Sequence, residues 1–231
     1  MNFNQSSTSK ATNSFSRFCK QKFLPATMAA VTTLSFCGIA VADSSKTPET
    51  EDFKAYNNGL GIQIKDNRED FEAVLRIETA EDSTRFVFDD APVLDNGFPA
   101  YGNSFITQGY IYPAGTLNGG DGVNADGSPQ YPDKVIGRWV CKGWFVSQEG
   151  AAATSGELVI TTQTFNFGEA LGNRTIVTEG WELAEVGTPV KRAVIGGTGE
   201  FRNVDGEASQ VVIGMNAIEG FNLRHELFLS H

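Results

Sequence analysis

Two glutamates stand in strand-like runs where a carboxylate could do proton chemistry. Glu78 lies in Val74-Leu-Arg-Ile-Glu-Thr-Ala80, and Glu182 lies in Arg174-Thr-Ile-Val-Thr-Glu-Gly-Trp-Glu-Leu183. On a period of two, Glu78 shares a face with Val74 and Ala80, and Glu182 with Ile176, Thr178 and Gly180. Alternation alone suits side chains that face water. If the same faces turn into a closed barrel, both carboxylates are desolvated, their pKa values rise, and they become suited to proton transfer. His225 shares its face with Phe221, Leu223, Leu227 and Leu229, which fits a hydrogen-bonded core histidine or a pocket residue. With His225 and His231 as the two histidines, no multi-histidine metal site can be built, so no metal is expected. A Gly-x-Ser-x-Gly elbow is missing, which removes that route to a nucleophile.

The segments around these residues are β-rich. Runs at 74–80, 85–89, 109–112, 135–146, 157–167, 174–184, 192–195, 208–213 and 220–229 carry β-branched and aromatic residues bounded by Gly, Asn, Asp or Pro. Eight or nine such strands predict an antiparallel sandwich or closed barrel, and closure removes the edges that invite aggregation. Gly196-Gly-Thr-Gly-Glu-Phe201 superficially offers a dinucleotide fingerprint, but a second turn and a strand follow where that fingerprint needs a helix. The glycines are expected instead in a tight hairpin with positive φ. Between Pro113 and Asp133 the chain is rich in Gly, Asn, Asp and Pro. Gly119 to Gly127 resembles a calcium loop in composition, without the regular oxygen spacing or distal glutamate of an EF-hand, and reads as turn chemistry.

Composition bounds the rest. Of 231 residues, 40% are hydrophobic and 20% charged, which is ordinary for a globular chain. The formal charge of -10 is a poor match for phosphate-directed nucleic-acid binding, and no apolar run reaches the ~18 residues of a membrane span. Residues 1–42 hold Lys10, Arg17, Lys20 and Lys22 with no acid, then an apolar stretch from Phe23 to Ile39 and Ala40-Val-Ala42. That is the pattern of a secretory signal peptide cut after Ala42, predicting a secreted or periplasmic protein. Cys19 and Cys37 leave with it, so Cys141 remains without a disulfide partner. Residues 43–69 read as a polar leader and the start of the domain, and 70–231 as the barrel domain.

Four segments, in order, resemble the allene oxide cyclase and dirigent families. Phe86-Val-Phe-Asp-Asp-Ala-Pro92 resembles the dirigent Phe-Asp-x-Pro segment. Ile136-Gly-Arg138 with Gly143-Trp-Phe-Val146 resembles a strand of the form Gly-Arg-Ala-Gln-Gly-Phe-Tyr-Val. Thr164-Phe-Asn-Phe-Gly168 is similar to a cyclase strand, and the stretch from Arg192 through Gly196-Gly-Thr-Gly-Glu-Phe201 to Glu207 to the Gly-Gly hairpin. The resemblance implies an eight-stranded antiparallel β-barrel of lipocalin-like shape, often a trimer. It also implies an apolar cavity in which a small hydrophobic intermediate is bound and steered through cyclisation or isomerisation without an organic cofactor.

Carried onto this chain, the resemblance places the catalytic acids at Glu78 and Glu182 and a third acid at Asp89. Trp144, Phe145, Phe165 and Phe167 are candidates for the cavity wall with His225, although Trp144 and Phe145 are neighbours on a strand and cannot both point inward. The cyclase cysteine position falls on Phe145, and the dirigent arginine before the Gly-Gly turn has Lys191 and Arg192 nearby, out of register. A barrel that holds a hydrophobic ligand or serves as a scaffold without catalysis is the alternative. The chain could assemble as a trimer or dimer.

Overall fold

The computed structural model describes residues 73–230. The predicted leader and its cleavage after Ala42, the segment 43–69 and His231 lie outside the described residues. Eight antiparallel strands close into one barrel in chain order: β1 (Ala73–Phe88), β2 (Ser104–Pro113), β3 (Gly137–Phe145), β4 (Glu157–Phe167), β5 (Arg174–Leu183), β6 (Pro189–Gly199), β7 (Asp205–Met215) and β8 (Phe221–Ser230). Closure is made by β1 against β8, with Ile77 opposite His225 and Ala80 opposite Asn222. Every strand therefore has two hydrogen-bonded neighbours. Among the described residues no helix is long and apolar enough to cross a membrane.

Alternation sets the interior. On β3, Trp139, Cys141 and Phe145 are buried while Arg138, Lys142 and Trp144 are exposed. On β4, Val159, Thr161, Gln163, Phe165 and Phe167 are buried. These inward faces join Leu75, Ile77, Leu223 and Leu227 in one core. One end of the barrel is plugged, with Phe167 packing on Phe201 at 5.6 Å between ring centroids. The other end is open, and Phe86, Phe105 and Phe145 line up there with centroid separations of 5.4 and 5.2 Å.

The expected runs at 74–80 and 85–89 are a single strand, β1, with a register irregularity between Asp82 and Val87. Asp82 causes it locally: its Oδ1 accepts from the Thr84 amide at 3.1 Å and the Thr84 hydroxyl at 2.6 Å, and its other oxygen pairs with Arg85 at 3.2 Å. Side-chain acceptors of this kind compete with ladder bonds and divert the strand without ending it. Gly196-Gly-Thr-Gly199 forms the end of β6, and Phe201 sits in the turn into β7. Gly199 has φ +62°, and a Cβ there would lie 1.6 Å from the Asn173 carbonyl oxygen, so glycine is required by both conformation and space.

Residues 114–131 do more than turn. They fold over the outer face of β1 and β2, where Leu117 and Val123 pack with Ala80 and Tyr112 in a second, smaller core. The Tyr112 hydroxyl donates to the Gly122 carbonyl at 2.6 Å. Strand β1 is consequently buried on both faces from Val74 to Asp82, apart from Arg76.

Candidate functional site

A cavity of about 110 Å³ lies at the open end. Its wall is apolar, formed by Phe105, Phe145, Val159, Met215, Phe221 and Leu223. One turn of 3-10 helix, Gly150–Ala152, brings Ala151 to the rim, and the Ala151 amide is tied to the Pro99 carbonyl at 2.9 Å. Glu81, Thr107, Trp139, Cys141 and Glu182 add the polar groups.

Glu81 comes from β1, two residues beyond Thr79 on the inward face, and is 6% exposed. Its Oε2 accepts from the Phe221 amide at 2.8 Å. Thr107 lies beside the carboxyl without a well-formed hydrogen bond. Burial pushes the Glu81 carboxyl up to about 7, the neighbouring charges of Glu182 and Asp82 add to the rise, and the Phe221 amide and the nearby Thr107 hydroxyl oppose it.

Glu182 comes from β5 and is held quite differently. Its Oε1 accepts from the Thr161 hydroxyl, from Gln163 Nε2 at 2.9 Å and from the Cys141 thiol at 3.4 Å, and pairs with Arg192 at 3.6 Å. Oε2 takes no hydrogen bond from the described residues. Arg192, on β6, is buried and donates to the Thr161 carbonyl and hydroxyl, each at 2.9 Å, and to the Gly180 and Trp181 carbonyls at 3.2 and 3.1 Å. Burial holds the Cys141 thiol well above its ordinary value, so it stays a protonated donor.

The two carboxyls thus share one cavity in unlike settings: one desolvated and titrating near neutrality, one ion-paired with a free oxygen. Pairs of this kind divide acid and base roles in proton transfer. Among the described residues no three of His, Cys, Asp and Glu gather as metal ligands.

Of the acids expected at the site, Glu182 lines the cavity and Glu78 does not. Glu78 is fully buried on the outer face of β1, beneath the 114–131 loop. Its Oε2 accepts from the Leu117 amide at 2.8 Å, and its Oε1 meets Arg224 at 2.9 Å. It anchors the loop to the barrel. Glu78→Gln should therefore lower stability by about 1–2 kcal/mol, since it weakens one charge-assisted pair whose arginine is partly exposed. Urea unfolding reads this change.

Asp89 is exposed in the β1–β2 connection, where it takes the Ser104 hydroxyl, and it does not line the cavity. Phe145 forms part of the wall, while Trp144, its neighbour on β3, points outward and is 54% exposed. Phe165 and Phe167 lie deeper in the core, Phe165 against the His225 ring at 5.0 Å. His225 is buried below the cavity with its Nε2 3.1 Å from the Thr79 hydroxyl, and burial lowers its pKa to about 3, which keeps it neutral. His225, Phe165 and Phe167 do not line this cavity; they fill the barrel beneath it, His225 as a hydrogen-bonded core residue.

The residues expected at the site include neither Glu81 nor Trp139, and Arg192 only as an out-of-register neighbour of the dirigent arginine position. The inward run Leu75, Ile77, Thr79 carries a signal for Glu81, because continuing the same alternation by one step reaches it.

No protein-family model and no curated protein matches the chain. Among solved structures, the pterocarpan synthase dirigent protein PsPTS1 is similar at 18% identity, covering 71% of this chain and 97% of that one, with a TM-score of 0.50. The dirigent protein GePTS1 is 16% identical, covering 83% and 99%, with a TM-score of 0.46. A pyocyanin demethylase is 16% identical, covering 68% and 99%, with a TM-score of 0.42. The chain therefore has the fold of a dirigent-like eight-stranded antiparallel β-barrel.

Proposed function

We propose that the barrel binds a small hydrophobic molecule at its open end and steers a cyclisation or isomerisation, with Glu81 as proton donor and Glu182 as acceptor. The observation that carries this reading is the pairing of two unlike carboxyls in an apolar-walled cavity. Proton transfer by positioned groups of this type contributes ~10²–10⁴-fold to a rate. A cavity near 110 Å³ is of the order that accepts a single six-membered ring, since an apolar cavity of ~150 Å³ takes benzene. The reacting ring enters and the remainder of a larger molecule stays at the mouth. The resemblance to allene oxide cyclases supports a cyclisation run by protein groups without an organic cofactor, and the pattern of residues 1–42 supports export of the barrel.

Native mass spectrometry of the protein from its own host identifies the bound molecule, and its conversion is then followed. Glu81→Gln and Glu182→Gln are each expected to lower kcat by about 10²-fold or more while the molecule still binds. Glu78→Gln, which lies outside the cavity, keeps its activity. A Glu81→Gln, Glu182→Gln double variant that converts the molecule at the wild-type rate overturns catalysis and leaves a ligand-binding barrel.

A further inference from the structure

We propose that the molecule taken by this cavity carries a carbonyl oxygen at its buried end, held by the Trp139 indole N–H and the Thr107 hydroxyl. The inference rests on the cavity reading above and adds the polar group of the ligand. Trp139 and Thr107 both line the cavity, and each is 2% exposed. Yet Trp139 Nε1 is buried without a hydrogen-bond partner among the described residues, and Thr107 Oγ1, beside the Glu81 carboxyl, makes no well-formed hydrogen bond there. Buried polar groups are nearly always satisfied, so two such groups on one cavity mark a missing partner.

The two groups are neighbours by register. Thr107 on β2 stands opposite Cys141 on β3, and Trp139 is the preceding inward residue of that strand. Their chemistry narrows the partner. An indole N–H only donates, so the ligand atom must accept, and a threonine hydroxyl can donate to the same atom. A carbonyl oxygen accepts two hydrogen bonds through its two lone pairs, which suits two donors side by side. A carboxylate would meet the Glu81 and Glu182 carboxyls in the same cavity, and like charges in a desolvated site repel. The apolar wall also favours a neutral molecule. A protonated Glu81 adds a third donor beside Thr107.

Acetophenone and α-methylstyrene test this, because they share a shape and differ in C=O against C=CH₂. Both are titrated into the full-length protein by calorimetry. The expected result is about tenfold or greater preference for acetophenone, as a site built around hydrogen-bonding groups discriminates against a ligand that leaves them unpaired. Thr107→Val, which is isosteric, and Trp139→Phe should each reduce that preference to about threefold or less without weakening α-methylstyrene. Equal affinities for the two compounds in the wild type overturn the carbonyl assignment, with resident water then satisfying the donors, and leave the cavity reading standing. Failure of both compounds to bind overturns the cavity reading and this inference together.

Discussion

Glu81→Gln is expected to make the protein more stable above pH 8, by about 3 kcal/mol, and to leave it unchanged near pH 4. The sign follows from proton counting. The Glu81 carboxyl keeps its proton up to about pH 7 when folded, against a reference value of 4.5. Between those values the folded chain binds more protons than the unfolded one, so stability falls as pH rises through the window. Above it, folding confines a charge that water would solvate better. Glutamine resembles the protonated acid, still accepts from the Phe221 amide, and has no charge to desolvate. Urea midpoints at pH 4, 6 and 8 read the effect. Parallel curves for wild type and variant across that range would remove Glu81 as a neutral-range titrating group.

Arg192→Met is expected to cost about 3–5 kcal/mol, a large share of the ~5–15 kcal/mol that holds a typical domain. The guanidinium ties three consecutive strands: Thr161 on β4, the Gly180 and Trp181 carbonyls on β5, and its own β6. Its loss leaves those carbonyls without their donor and Glu182 without its counter-charge. Breaking one partner of a buried pair is the costly case, whereas replacing both with uncharged groups of similar volume is much cheaper. The Glu182→Gln, Arg192→Met double variant should therefore recover part of the loss, giving a coupling energy of about 1–3 kcal/mol in a double-mutant cycle. Additive losses would mean that Arg192 stabilises through its carbonyl bonds alone.

The barrel was legible where one strand face meets the core and the other meets water. β3 alternates cleanly, so Phe145 inward and Trp144 outward follow from period two once the inward face is known. Strand β1 defeats that reading because both of its faces are buried. Leu75, Ile77 and Thr79 face the barrel, while Val74, Glu78 and Ala80 lie on the opposite face, where Glu78 and Ala80 are beneath the 114–131 loop. Two faces of similar polarity give alternation nothing to choose between; the resemblance points to Glu78, whereas Glu81 is the β1 acid that lines the cavity. The loop itself was recognisable by its turn residues, but not its role as a cover, since its contacts to Ala80 and Glu78 are distant in sequence. Arg192 carried a related ambiguity. A buried arginine is explained only by the partners that surround it, and those sit on other strands.

The most direct test of the account is the titration of the Glu81 carboxyl carbon by ¹³C NMR, with Glu81→Gln supplying the assignment. The expected midpoint is about 7, set by desolvation in the cavity. A midpoint close to the ordinary value of 4.5 would contradict it, because Glu81 would then be a solvated carboxylate with no proton to give at neutral pH.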